Sequence, residues 1–163
     1  FYAVGTERSR EGKELLGENF AYLISVDTIQ DKKSPFYVNG CYFELKEFRR
    51  LIKKEYAGFE IKDGGEIKIK ETDHLGYVLE IQAGNQDFQG EEMRELLKLP
   101  SSCFIVQTDK EMIRFLCRGV GHGLGLSQWT AGKMAEENKQ YQEILNYFFP
   151  GLELIEVEMQ KNE

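Results

Sequence analysis

Four glycines alternate with other residues in the segment RGVGHGLGLSQWTAGKMAEEN, Arg118 to Asn138: Gly119, Gly121, Gly123 and Gly125, with His122 among them. Upstream, EMIRFLC has the apolar character of a strand; downstream, LSQWTAGKMAEEN has helical spacing and opens on Ser127. The chain must pass from strand to helix through a stretch that is nearly bare backbone. Without a Cβ, such a stretch admits unusual dihedral angles, or close approach of another backbone or a flat ligand such as a sugar ring. Read as extended chain, period two places the four glycines on one side and Val120, His122, Leu124 and Leu126 on the other.

A strand, glycines and then a helix also suggest a nucleotide site, and spacing tests that idea. The dinucleotide fingerprint G-x-G-x-x-G requires a third glycine where Leu124 or Leu126 stands. The phosphate loop requires glycine, lysine and a hydroxyl residue in succession, and Lys133 comes too late. Both nucleotide patterns fail.

Elsewhere the periods change along the chain. AYLISVD, Ala21 to Asp27, has the β-branched character of a strand, after an opening FYAVGTERSREG that reads as a strand end running into a loop. Thr28 to Pro35 is a charged loop. FELKEFRRLIKKEYAG places Leu45, Phe48, Leu51 and Ile52 at spacings of three and four, a helix that Gly58 can end. GGEIKIKET and GYVLEIQAGNQ predict an antiparallel pair. FQGEEMRELLKLP predicts a short helix stopped by Pro100. CFIVQT and EMIRFLC predict two more strands joined at Asp109-Lys110. Two helices then break near Lys139, and GLELIEVE closes the chain as a strand. Without repeats or linkers, residues 1–163 read as one α+β domain with a largely antiparallel sheet and several short helices.

A chain of 163 residues is long enough to bury roughly 70% of its unfolded surface without staples. Its net charge of -7 offers no basic field for nucleic acid or an anionic membrane, and no apolar run approaches a membrane span. Cys41, Cys103 and Cys117 lack zinc spacing, and Cys103 and Cys117 sit in apolar runs as small core residues. No metal and no cofactor is expected.

The candidate ligand contacts are therefore Gly121, His122, Gly123, Gly125, Ser127 and Gln128. Ser127 has two readings, N-cap of the following helix or ligand contact. Gln128 has no capping duty and carries a donor and an acceptor. His122 is either hydrogen-bonded to backbone or placed at the mouth of a cleft, since its glycine neighbours have no side chains to bury it. The carboxylates of Glu91, Glu92, Asp27, Asp31, Glu136 and Glu137 are accounted for by a helix N-terminus, a strand end, a loop and a solvated face.

With those residues in view, GVGHGLGLSQWTAGKMA resembles the closing signature of the stage II sporulation protein D family, the SpoIID/LytB domain. The match runs through Gly119, Gly121, His122, Gly123, Gly125, Ser127, Gln128, Ala131, Met134 and Ala135. FQGEEMRELLKLPSSCF is similar to a second family segment at Phe88, Gly90, Glu92, Arg94, Leu97, Leu99, Ser101 and Phe104. AYLISVDTIQD is similar to a third at Tyr22, Leu23, Ser25, Val26, Asp27 and Asp31.

The resemblance implies activity on peptidoglycan glycan strands stripped of stem peptides. The implied reaction is lytic transglycosylation between N-acetylmuramic acid and N-acetylglucosamine, in which one glutamic acid serves as acid and then base. The family's glutamate motif does not occur in this chain, so the catalytic residue is unknown and is expected from an upstream segment. The residues here would form the substrate cleft. The family's zinc-binding His and Cys are likewise missing near Tyr2. The alternative implied function is a non-catalytic peptidoglycan-binding module that recruits or enhances a cell-wall amidase. Either implies an extracytoplasmic location, with anchoring through a segment preceding Phe1.

Overall fold

The alternating segments pair as two separate three-stranded antiparallel sheets in a computed structural model that describes residues 1–155. In one sheet, β1 (Val38–Glu44) and β5 (Phe104–Thr108) flank β6 (Met112–Arg118). The register sets Cys41 opposite Phe115, and Phe104 opposite Cys117. Period two therefore sends Cys41, Phe43, Ile113, Phe115 and Cys117 to the same inner face. In the other sheet, β3 (Val78–Ala83) lies between β2 (Ile67–Thr72) and β4 (Gln86–Gln89). Only Gly84 and Asn85 separate β3 from β4, and Gly84 takes φ +53°, the geometry of a two-residue hairpin.

Five α-helices complete the described fold: α1 (Gly12–Leu16), α2 (Leu45–Lys53), α3 (Gly90–Leu97), α4 (Gln128–Glu136) and α5 (Tyr141–Phe148). Helix α2 buries Phe48 and Ile52, and α3 buries Met93 and Leu97, where both meet the inner faces of the sheets. Phe48 stacks on Phe115 at 6.4 Å between centroids and meets Phe59 edge-on at 6.1 Å, while Phe59 in turn meets Phe88. One continuous apolar core thus joins both sheets, and the α+β expectation is borne out.

Four local expectations are corrected. Ala21 to Asp27 is not a strand: its backbone is held by single bonds from Ser9 and Gly12 to Val26 and Leu23, and only Asp27 forms a bridge, to Arg8. The charged loop after it contains a 3-10 turn, Ile29–Lys33, that buries Asp31. The helix expected from Phe43 begins at Leu45, because Val38–Glu44 is claimed by pairing with β6. Gly151–Ile155 carries no strand, and the rest of that expected strand lies outside the described residues.

Candidate functional site

The glycine segment leaves β6 and reaches α4 as a series of left-handed turns. Gly119, Gly121, Gly123 and Gly125 have φ of +76°, +113°, +77° and +74°. The expected extended geometry, with glycines on one face, is therefore incorrect: alternation here marks repeated positive φ, which L side chains rarely adopt. Bare backbone also serves close packing inside the protein. At Gly121 a Cβ would lie 2.7 Å from Tyr2 Cβ, so this glycine is where the N-terminal segment crosses the loop.

That N-terminal segment is laced to the loop by main-chain bonds. Val4 and Val120 exchange bonds of 3.2 and 2.6 Å, and Arg10 N–H donates to the Gly123 carbonyl at 2.7 Å. Gln128 N–H and Trp129 N–H donate to the carbonyls of Tyr2 and Ala3. Thr130 N–H donates to Ser127 Oγ at 3.2 Å, the N-cap geometry. The first amides of α4 are thus satisfied internally, which leaves no helix N-terminal anion cradle there.

Ser127 is fully buried, and its hydroxyl also donates to the Asp31 carboxylate at 2.7 Å. Asp31 accepts in addition from Thr130 Oγ1 at 2.7 Å and from Gly5 N–H at 2.6 Å. Burial raises the Asp31 pKa above the ordinary carboxylate range, against the opposing pull of these donors. One buried carboxylate therefore ties the N-terminal segment, the 3-10 turn and α4 together. The sequence offered this residue only as a loop aspartate within a family-like segment.

A second polar node supports the loop from beneath. Arg10, nearly fully buried, pairs with Asp73 at 3.0 Å and lies 4.2 Å over the Tyr77 ring, which packs against Gly123. Glu91 accepts from Ser102 Oγ at 2.6 Å and pairs with Arg94 at 3.0 Å. Glu92 performs the helix N-terminal duty through its capping bond to Gln89 N–H, and it also accepts from the Tyr56 hydroxyl.

His122 is half-buried, and its Nδ1 accepts from Leu124 N–H at 3.1 Å. Burial lowers its pKa, so the imidazole is neutral at neutral pH, and with Nδ1 accepting, its proton sits on Nε2. It lines an open groove of about 460 Å³ with Tyr22, Leu124, Gly125, Phe149 and Leu152. Of the residues singled out from the sequence, the structure brings His122 and Gly125 to this groove. Gly123, Gly125 and Ser127 are buried, Gly125 against the Phe149 ring, and Gly121 lies under Tyr2. Gln128 is exposed outside the groove lining, and its side chain makes no hydrogen bond among the described residues. Tyr22 and Phe149 are groove residues that the sequence did not single out as ligand contacts; Tyr22 was marked only as a position of a family-like segment, and Phe149 only by its aromatic character. Among the described residues no group of three or more His, Cys, Asp or Glu could hold a metal ion.

No protein-family profile matches the chain. Individual relatives do. It is 31% identical over 137 residues to stage II sporulation protein D of Bacillus amyloliquefaciens, and equally to that of Bacillus subtilis strain 168. The match covers 84% of this chain. The chain belongs to the stage II sporulation protein D family. It spans 39% of the length of these two relatives. An uncharacterized protein of Brachyspira hyodysenteriae is 31% identical over 84 residues, covering 50% of this chain and 23% of that protein. Within this family context, the glycine segment stands as a scaffold whose half-buried His122 faces the groove. No helix among the described residues is long and apolar enough to cross a membrane.

Proposed function

We propose that this chain is the glycan-holding part of a sporulation-related protein that acts on peptidoglycan, and that the groove at His122 receives a sugar of the glycan strand. The observation that carries this reading is the lining itself. Aromatic rings of Tyr22 and Phe149 and the apolar edges of Leu124 and Leu152 suit the C–H face of a pyranose. His122 Nε2–H then supplies one directional donor for a hydroxyl or acetamide oxygen.

The reaction assigned to the whole protein is lytic transglycosylation, with location outside the cytoplasm. Such chemistry needs one carboxylic acid that protonates the leaving oxygen and then, as carboxylate, takes the proton of the sugar's own 6-hydroxyl. The described groove lining carries no carboxylate, and the buried Asp31 is out of reach of a strand. The acid is therefore assigned to another part of the protein, with this chain positioning the substrate. A module that only binds glycan and recruits an amidase shares the same groove, and the products separate the two.

The test is product analysis. A protein comprising this chain together with the remainder of its natural sequence is incubated with peptide-free glycan strands. Anhydromuramyl ends in the mass spectrum are expected. Products with reducing muramic ends would overturn the transglycosylase assignment, and no cleavage alongside retained binding would favour the recruiting module.

A further inference from the structure

The two sheets leave four edge strands, β1, β5, β2 and β4, and three of them are guarded against pairing with another chain. Strand β2 carries Lys68, Lys70 and Glu71, and its register breaks after Ile69. Strand β4 has four residues and carries Asp87. At β5 the turn at Gly64 closes on the strand end, where a Cβ on that glycine would lie 3.0 Å from the Thr108 side chain.

Strand β1 has none of these devices. Val38–Glu44 runs in unbroken register with β6, without lysine, arginine or proline, and its one charge is Glu44 at the end. Beyond that ladder, the main chain of Val38 to Phe43 makes no hydrogen bond among the described residues. Alternate N–H and C=O groups therefore face outward along roughly 20 Å of extended chain, and another strand is what satisfies such a row. The exposed side chains beside them are apolar: Val38 is 54% and Tyr42 61% exposed.

The strand also suits its own copy. In an antiparallel pair centred on Cys41, all seven residues find a partner: Cys41 meets Cys41, Gly40 meets Tyr42, Asn39 meets Phe43 and Val38 meets Glu44. The two carboxylates then stand at opposite ends, whereas parallel pairing in register would set them face to face. A Cβ on Gly40 would lie 3.2 Å from the Tyr42 ring of the same strand, so that ring leans back toward the strand centre. The Tyr42 rings of the pair thus converge on the two-fold axis as a diagonal aromatic contact.

We infer that β1 is a self-association edge, through which two copies of this chain join their sheets in the order β5-β6-β1-β1-β6-β5. A contact of this isologous kind closes on itself and stops at two. Edge pairing alone buries less than the roughly 1,200 Å² of a standard stable interface, so the dimer exchanges with monomer in the micromolar to millimolar range. None of the β1 residues lines the His122 groove, and the inference stands apart from the glycan reading.

Sedimentation equilibrium of the 163-residue chain, from about 10 μM to about 1 mM, is expected to show monomer passing to dimer. Over the same range, amide hydrogen exchange is expected to slow within Val38–Glu44 and to stay unchanged in β2 and β4. Three substitutions at the exposed Val38 test the register, with thermal unfolding of dilute samples as the check that the fold is kept. Relative to the neutral Val38→Gln, Val38→Glu sets a second carboxylate opposite Glu44 twice per dimer and should weaken association by about threefold or more. Val38→Lys should strengthen it to a similar extent, and in about 1 M salt, where the screening length falls to about 3 Å, the three should converge. A monomer throughout, a dimer whose β1 amides exchange as they do in the monomer, or Val38→Glu and Val38→Lys shifting association in the same direction from Val38→Gln would each overturn the inference.

Discussion

Asp31 and Ser127, 96 residues apart in sequence, share a hydrogen bond of 2.7 Å in the protein interior, and the same Ser127 oxygen caps α4. The carboxylate is fully buried with no cation beside it, and donors from Gly5 and Thr130 complete its coordination. Removing it leaves the Gly5 amide without a partner, whereas the two hydroxyls can turn elsewhere. Asp31→Ala is therefore expected to cost about 3 kcal/mol, and Ser127→Ala about 1 kcal/mol. Urea denaturation of the two variants checks the order; equal losses would show that the node acts through the cap alone.

The pH dependence of this node has a definite sign. Burial places the native Asp31 pKa above its unfolded value, so in the window between the two the folded state binds more protons than the unfolded state. The contribution of Asp31 to stability is then greatest below the unfolded pKa, about 3.9, and declines as pH rises through the native one. The stability difference between the unsubstituted chain and Asp31→Asn should accordingly shrink between acidic and neutral pH. Denaturation at a series of pH values reads this directly, and a difference that grows with pH would contradict it.

How far the sequence foretold this arrangement depends on what each element relies on. Helices α3, α4 and α5 and strands β2, β3, β5 and β6 have local periods strong enough to read unaided. Strand β1 was hidden because its end, Phe43-Glu44, runs without a break into the helical period that starts at Leu45, and only the partner strand β6 decides where the strand stops. Strand β4 is four residues long and depends on the Gly84-Asn85 turn. In the loop, the residue types pointed to the right place but not to its geometry, since glycine at period two serves an extended face and a chain of left-handed turns alike. The Asp31 node could not be derived from spacing: a carboxylate with partners at Gly5, Ser127 and Thr130 is a purely tertiary fact.

His122 supplies a second pH-dependent readout. Its lowered pKa reflects burial, and protonation would turn Nδ1 from the acceptor of Leu124 N–H into a competing donor. Here the folded state binds fewer protons, so the associated stability is present above the unfolded value near 6.5 and is lost as pH falls through the native pKa. An NMR titration of the His122 ring is expected to give a midpoint below 6.5. Affinity for peptide-free glycan should fall along the same curve; a midpoint above 6.5 would reject the assigned neutral state.

The groove reading makes a claim on Tyr22 that stability does not share. Tyr22 is 43% exposed and outside the apolar core, so Tyr22→Ala should leave the unfolding transition nearly unchanged. Loss of its ring should nevertheless weaken binding of glycan by about tenfold, equivalent to roughly 1.4 kcal/mol. Calorimetry for binding and thermal denaturation for stability, performed on the same sample, separate the two effects. Unchanged affinity would remove Tyr22 from the site.

One substitution, glycine to alanine, should have opposite signs at two positions in adjoining elements. Gly121 holds φ +113°, and an added Cβ would lie 2.7 Å from Tyr2 Cβ, itself pinned by main-chain bonds to Leu126 and Gln128. Neither the backbone nor Tyr2 can yield without breaking those bonds, so Gly121→Ala is expected to destabilise by about 2 kcal/mol or more. Gly132 lies within α4, where an added Cβ meets nothing within 4 Å. There alanine lowers the entropy of the unfolded chain without strain, and Gly132→Ala should stabilise by about 0.5–1 kcal/mol. If both variants shifted the unfolding midpoint in the same direction, the left-handed turn at Gly121 would not be the constraint that this loop imposes.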